Sequence, residues 1–310
     1  GSLIGLERAA AAGKKWGYAA PICSAAGGLS LLFGAPLLIA GSLFATSALI
    51  QFALLLPTLR AKWTERQALP LLLQLTGLLC WLIGSLIWVR GAAMPEVSLW
   101  WGGLLLLTIA GGRLDKFLPA GTGAGFALGS TAYIAGLGLV QLKVSPWGMH
   151  GLSLSGLGLM LCALWLLVYD PATRPGLSAS DRFMAVCLWL GYGWLGVGGM
   201  SLLPGPAALQ GLAYDMSLHS LFVGFVFALI LGHLPRILPL LLQRPAVHHP
   251  LFYLPLGLLQ AGLLLRLANV WFPLNSLRAW GGLLNEVAVL MAVLLVLWRI
   301  QAERQQHGQS

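Results

Sequence analysis

The 310-residue chain is 58% hydrophobic and 9% charged, with a mean hydropathy of +0.84. Soluble domains carry roughly 25% charged residues, so water is excluded as the main solvent of this chain, and with it a large soluble domain and catalysis on large soluble substrates. The net charge of +9 would point to nucleic acid in a soluble protein; here the basic residues sit in short loops between apolar runs, where they set topology and meet anionic lipid. The lipid bilayer is the expected partner, and nucleic acid is not.

The opening residues 1–12, GSLIGLERAAAA, read as the end of a helix whose beginning lies upstream, and no signal-peptide pattern is present. Apolar runs bounded by Pro, Gly or charge then place ten spans near 17–33, 37–59, 68–90, 97–113, 121–142, 149–169, 183–203, 214–235, 250–272 and 279–298. The first and fourth runs are short for a crossing and call for tilt or local thinning. The expected fold is all-α: a polytopic transmembrane helical bundle, a single integral membrane domain over 1–310 that ends in a polar cytoplasmic tail at 299–310. Cys23, Cys80, Cys162 and Cys187 all fall inside apolar runs without CxxC spacing, so they read as small core residues. The glycine-rich runs at 121–138 and 191–199 put small residues on helix faces that can approach closely. No long-period repeat is visible.

Positive charge tests the span assignment independently, because Lys and Arg collect in cytoplasmic loops. On one side fall Arg8, Lys14, Lys15, Arg60, Lys62, Arg66, Arg113, Lys116, Arg174, Arg182, Arg236, Arg244, Arg299 and Arg304; the other holds Arg90, Lys143, Arg266 and Arg278. This asymmetry puts the C-terminus, with His307, in the cytoplasm. Trp88, Trp100, Trp101, Trp147, Trp271 and Trp280 fall at the opposite ends, as an aromatic belt would.

Ionisable groups within hydrocarbon are costly and face the bundle interior, so they are where function is sought. His219 and His233 lie on one predicted helix over 214–235; fourteen residues place them roughly 21 Å apart and about 40° from eclipsed, one near each membrane surface. Such imidazoles suit ligation of haem or a metal ion. His150 opens a span running in the same direction, so it and His219 are expected to share a site at the outer leaflet, as metal or cofactor ligands. Asp215, one turn before His219, is placed to orient it through an Nδ1 hydrogen bond or simply to stabilise the helix start. Arg278, Asn285 and Glu286 open the last span at the same level. Glu286 reads either as a proton-handling group or as a structural partner of Arg266 or Arg278. At the cytoplasmic end, His233 and Arg236 flank Pro235, with Pro239 beyond, and Arg113, Asp115, Glu7 and Arg8 are candidates to complete a second polar site or to act as interface charges. His248, His249 and His307 read as solvated. No P-loop, dinucleotide fingerprint, HExxH or GxSxG motif occurs.

The strings LIGLERA at 3–9, LLTIAGGRLDKFL at 106–118, YDMSLHSLFVGFVFALILGHLPRILP at 214–239 and LRAWGGLLNEVAVL at 277–290 resemble a group of bacterial multi-helix membrane proteins that is distantly similar to the NnrS family of haem- and copper-containing inner-membrane proteins linked to the nitric oxide response. The H-x-x-x-x-G pattern from His219 to Gly224 and the helical layout carry that second step. The resemblance implies a bacterial inner-membrane protein with haem b or copper in the bundle, His219 as first ligand, and a further His upstream of Gly1. It also implies an acidic residue where this chain has Gly112. The leading expectation is therefore a haem- or copper-binding membrane protein of redox or nitric-oxide-related role, an accessory subunit of a respiratory complex being one form of it. The alternatives are a cofactor-free proton- or ion-coupled transporter using Glu286, Asp215 and Arg278, and a structural subunit packed against partner membrane proteins.

Overall fold

The computed structural model describes residues 2–64, 68–119, 121–142, 147–171, 177–241, 247, 249–269, 272 and 274–307. Arg66, Lys143, Arg174, Arg244, His248 and Trp271, all assigned above to loops or span ends, lie outside the described residues. Among the described residues there is no strand. The helices are α1 (Ser2–Ala12), α2 (Ala19–Leu32), α3 (Leu37–Ala61), α4 (Ala68–Val89), α5 (Met94–Phe117), α6 (Gly123–Gln141), α7 (Gly151–Tyr169), α8 (Ala179–Leu202), α9 (Gly211–His219), α10 (Ala228–Leu241), α11 (Tyr253–Ala268) and α12 (Asn275–His307).

Nine helical segments among the described residues are long and apolar enough to cross a membrane, against the ten expected. The difference is the run at 17–33: Lys15–Tyr18 forms a 3₁₀ turn and α2 is only 14 residues long, about 21 Å at 1.5 Å per residue, short of the roughly 30 Å hydrocarbon core. The fourth run is longer than its apolar stretch suggests. α5 has 24 residues because Pro95 sits in its first turn and the helix continues through Arg113, Asp115 and Lys116.

The chain forms two compact units: residues 1–130 with 137–144, and 131–136 with 145–310. In the first, α4 and α5 make a close antiparallel pair. The turn between them needs glycine. Gly91 has φ +89° and closes α4 in a Schellman arrangement, its N–H donating to Trp88 O at 2.9 Å while that of Ala92 reaches Ile87 O at 3.0 Å. Along the pair, a Cβ on Gly84 would lie 2.7 Å from Trp101 and one on Gly111 2.7 Å from Pro70 O, so only glycine lets the backbones come this near.

The tryptophans of this unit correct the aromatic-belt expectation. Trp88 and Trp100 are 7% and 4% exposed. Trp88 stacks on Phe44 at 6.4 Å and meets Trp101 edge-on at 5.2 Å, with Phe44 also edge-on to Trp101 at 5.7 Å. These rings are interior packing, which the glycines of α4 make room for. Trp280, in the other unit, is 59% exposed.

In the second unit, two reciprocal glycine contacts fix helix pairs. On α7 and α8, a Cβ on Gly156 would collide with Gly199 O, and one on Gly199 would lie 2.6 Å from Gly156 O. On α11 and α12, Gly262 and Gly281 stand in the same relation, at 2.7 Å and 2.5 Å from each other's carbonyl oxygens. Phe183, Cys187, Leu231, Leu256, Leu259, Ala288 and Ala292 fill one core of this unit. None of the four cysteines is in a disulfide; Cys80, Cys162 and Cys187 are buried and Cys23 is half-buried, as small core residues would be.

The span Gly211–Pro239 is not a uniform α-helix: Ser220–Phe227 is π-helical. The wide turn falls where Trp194 of α8 is seated against Gly224, with its indole N–H donating to Gln260 Oε1 at 2.6 Å. A π-turn holds an extra residue, so everything beyond it is rotated by on the order of 100° relative to an uninterrupted α-helix. The expectation that His219 and His233 share nearly one face is corrected accordingly.

Gly156→Val is expected to lower the thermal unfolding midpoint of the detergent-solubilised protein, with overpacking of about 1–3 kcal/mol. Gly138→Ala, at a position where an added Cβ meets nothing within 4 Å, leaves the midpoint unchanged or raises it slightly. Equal behaviour of the two variants would contradict the close α7–α8 approach.

Candidate functional site

The polar residues of the second unit gather at the end where the Gly211–Pro239 span begins. His219 closes α9, about two turns inside that span. Its ring is held from its own helix: Nδ1 lies 2.8 Å from the main-chain oxygen of Asp215. The carboxylate of Asp215 is farther, with Oδ1 3.4 Å from Nδ1. Asp215 therefore orients His219 as expected, but with its backbone carbonyl, which lies one turn back on the helix and accepts the Nδ1–H. That choice of tautomer leaves the lone pair on Nε2, and Nε2 makes no hydrogen bond among the described residues.

The Asp215 side chain, 13% exposed, is occupied by arginines. Arg266 of α11 grips it with two bonds, Nε to Oδ2 at 3.1 Å and Nη2 to Oδ1 at 2.8 Å. Arg278 of α12 adds a longer contact, Nη2 to Oδ1 at 3.4 Å, and remains 42% exposed. A bidentate carboxylate–guanidinium pair fixes orientation as well as charge. The Gly262–Gly281 approach sets this geometry, because a Cβ on Gly281 would sit 2.8 Å from Arg266 Cβ, pressing α12 against the turn that carries Arg266. Two cations face one anion, so the cluster carries an excess of one positive charge beside the imidazole.

The other predicted residues divide around this cluster. Glu286 is on the exposed side of α12 with Leu283, Val287 and Leu290, and it makes no ion pair among the described residues. Both arginines that were its candidate partners go to Asp215 instead. His150 ends the 3₁₀ turn Trp147–His150 ahead of α7 and is exposed; no hydrogen bond or ion pair joins it to His219. Asn285 stands beside the Gly262–Gly281 contact, its Oδ1 buried without a hydrogen bond among the described residues.

At the far end of the same span, His233 repeats the local pattern of His219, with Nδ1 2.7 Å from Leu229 O. Arg236 pairs with Asp181 in the first turn of α8, and its Nη1 lies 3.4 Å from Met184 Sδ. Asp181 in turn takes a hydrogen bond from the hydroxyl of Ser178, the N-cap of α8. Residues that the sequence did not single out are Arg266 as the main partner of Asp215, and Asp181 as that of Arg236. Both follow the rule that a charge near hydrocarbon sits opposite a charge of the other sign, but the partner's helix is not visible from sequence spacing.

Asp215→Ala leaves Arg266 and Arg278 facing each other without an anion, and is expected to cost about 3 kcal/mol of stability. Arg266→Gln should be costly too, and Arg278→Gln within about 1 kcal/mol of neutral, since its contact is longer and more exposed. A double-mutant cycle on Asp215 and Arg266, read by thermal unfolding, checks this; a coupling energy near zero would contradict the bidentate pair.

No curated protein and no solved structure matches the chain. One family does, over residues 1–301, that described as a domain of unknown function (DUF8744), and the chain belongs to that family.

Proposed function

We propose that this chain is a multi-pass membrane protein that holds haem b at the Asp215–His219 end of its second unit, in a redox or nitric-oxide-related role. The observation that carries the reading is the state of His219: Nδ1 anchored on the Asp215 carbonyl, Nε2 without a hydrogen bond, and an excess of guanidinium charge alongside. An imidazole prepared by a hydrogen bond on its other nitrogen is the usual form of an iron or metal ligand.

The donor set favours haem over copper. A bare copper ion would add positive charge to a cluster that already has an excess of it, and among the described residues no group of three or more His, Cys, Asp or Glu side chains is placed to hold a metal ion. Haem asks for less from the protein, one axial imidazole, and brings its own carboxylates for arginine. His219 would be the ligand, and Arg278, the more exposed of the two guanidinium groups, the partner of a propionate. Bound haem supplies one-electron and diatomic-gas chemistry at its iron. The chain's part is to orient the ring, balance charge and exclude water with the apolar α9, α11 and α12. His150, exposed, and His233, at the opposite end of the span, are not needed by this reading.

The resemblance to the NnrS group agrees with it, as does the charge asymmetry between loops, which supports a bacterial inner-membrane location with a cytoplasmic C-terminus. A role as an accessory subunit of a respiratory assembly is compatible. Cofactor-free ion transport draws less support, because Asp215 is held by two arginines and Glu286 stands apart from it.

Full-length protein purified from cells supplied with haem precursor is expected to show a Soret band and about one haem per chain by pyridine haemochrome. His219→Ala should lose the band, Arg278→Gln should reduce haem occupancy severalfold, and His150→Ala and His233→Ala should keep it. A colourless wild-type preparation would end the proposal.

A further inference from the structure

The first unit buries a charge that none of the preceding readings uses. Arg8, on α1, is 8% exposed. Its Nη1 donates to Gln51 Oε1 at 2.9 Å, and its Nη2 to Gln74 Oε1 at 3.3 Å and Thr108 Oγ1 at 3.5 Å. These three acceptors come from α3, α4 and α5. Gln51 lies ten residues before the end of α3, Gln74 six after the start of α4 and Thr108 nine before the end of α5. At 1.5 Å per residue the site is roughly 9–15 Å in from one end of three membrane-length helices.

Every one of those partners is neutral. Among the described residues no carboxylate lies within ion-pair distance of Arg8; Glu7, its neighbour in sequence, is exposed, and so is Asp115. A guanidinium stays charged in a protein, and an unpaired charge in a low-dielectric interior is costly. Neutral acceptors lessen that cost without removing it.

The donors around Arg8 are also incompletely used. A guanidinium has five N–H groups, and the three contacts above leave Nε and one hydrogen of Nη1 without a partner among the described residues. Gln74 offers its carbonyl oxygen to Arg8, so its NH₂ points elsewhere and makes no hydrogen bond there. The Thr108 hydroxyl hydrogen is likewise unused, whereas Thr46 and Thr76 each donate to the carbonyl four residues back, both at 2.8 Å. By contrast the Gln51 amide is spent on Ser47 Oγ at 3.4 Å, and Ser47 donates to Ala20 O at 2.7 Å. Glycine makes the space: a Cβ on Gly111 would lie 2.8 Å from Gln74 Cγ, and one on Gly5 3.3 Å from Gln51 Nε2.

We infer that Arg8, Gln74 and Thr108 form a binding site for one small monovalent anion, a halide, nitrate or short-chain carboxylate. One guanidinium with neutral amide and hydroxyl donors is balanced by a single negative charge. Sulfate or doubly ionised phosphate would leave a net charge in the bilayer interior.

The test is equilibrium dialysis of the purified full chain in detergent with radiolabelled chloride. Saturable binding of about one chloride per chain is expected, displaced by sodium nitrate or formate and not by sulfate or gluconate at equal ionic strength. Arg8→Gln should abolish it, and Gln74→Leu and Thr108→Val should weaken it about tenfold each. If Arg8→Gln fails to fold, the two milder variants carry the test. Absence of displaceable chloride, or chloride binding unchanged in Gln74→Leu and Thr108→Val, overturns the assignment. Phosphatidylglycerol in mixed micelles forms the lipid arm: displacement by it, with none by nitrate or formate, would also overturn a small-anion site.

Discussion

Helix association in this protein rests on backbone-to-backbone approach at glycine. In lipid, apolar side chains gain little by leaving the acyl chains, so helices must be held by close packing and by polar contacts. Gly156 against Gly199, and Gly262 against Gly281, bring two pairs of helices to distances at which a Cβ would strike the opposite carbonyl. Gly111 does the same against Pro70 O for α4 and α5, and Gly84 makes room there for the Trp101 ring. Polar chemistry is then laid on this frame. Arg266 reaches Asp215 because Gly281 lets α12 and α11 close up one turn away, and Gln74 reaches Arg8 because Gly111 leaves room for its side chain.

The two polar clusters answer the same energetic problem in opposite ways. Around Asp215 the protein supplies charges of both signs and ends with one cation too many, partly exposed, beside an imidazole. Around Arg8 it supplies, among the described residues, no carboxylate at ion-pair distance, only amide and hydroxyl groups. The first arrangement has its carboxylate fully engaged, and Arg278 can be hydrated. The second holds a guanidinium that is 8% exposed on neutral acceptors alone, with little water to offset a missing counter-charge. On the two proposals, ligand binding would be an addition to the first cluster and a completion of the second.

Much of the fold was legible in the sequence because the bilayer imposes a length and a composition on every crossing. Eight of the ten expected spans lie within a membrane-length helical segment of the structure or within two residues of its ends, as with 68–90 against Ala68–Val89 and 149–169 against Gly148–Tyr169. What failed has a local cause. The run at 17–33 is largely apolar, yet its start is taken by the 3₁₀ turn Lys15–Tyr18 and Gly34, at φ +70°, lets the helix go no further, so α2 has only 14 residues. Trp88 and Trp100 lie at helix ends, where belts form, but composition cannot show that Phe44 and Gly84 await them inside. For the site, one-turn relations such as Asp215 to His219 were readable, because a single helix determines them. Relations between helices were not: the sequence offers Glu286 as readily as Asp215 as a partner for Arg266 or Arg278, and nothing in it marks the amides of Gln51 and Gln74 among their leucines.

The π-helical turn at Ser220–Phe227 decides how the two histidines of that span relate. In an unbroken α-helix His219 and His233 would look toward nearly the same side, and one could imagine a single path of ligands from leaflet to leaflet. The extra residue turns the lower half of the helix by on the order of 100°. Each histidine keeps its own local anchor, Asp215 O for one and Leu229 O for the other, and each acquires a different set of charged neighbours: Arg266 and Arg278 above, Arg236 with Asp181 below. Because Trp194 occupies the face opposite Gly224 at the turn itself, a change there would alter the angle between the two ends without touching either ring. Polar groups at one end of this span are thus arranged separately from those at the other.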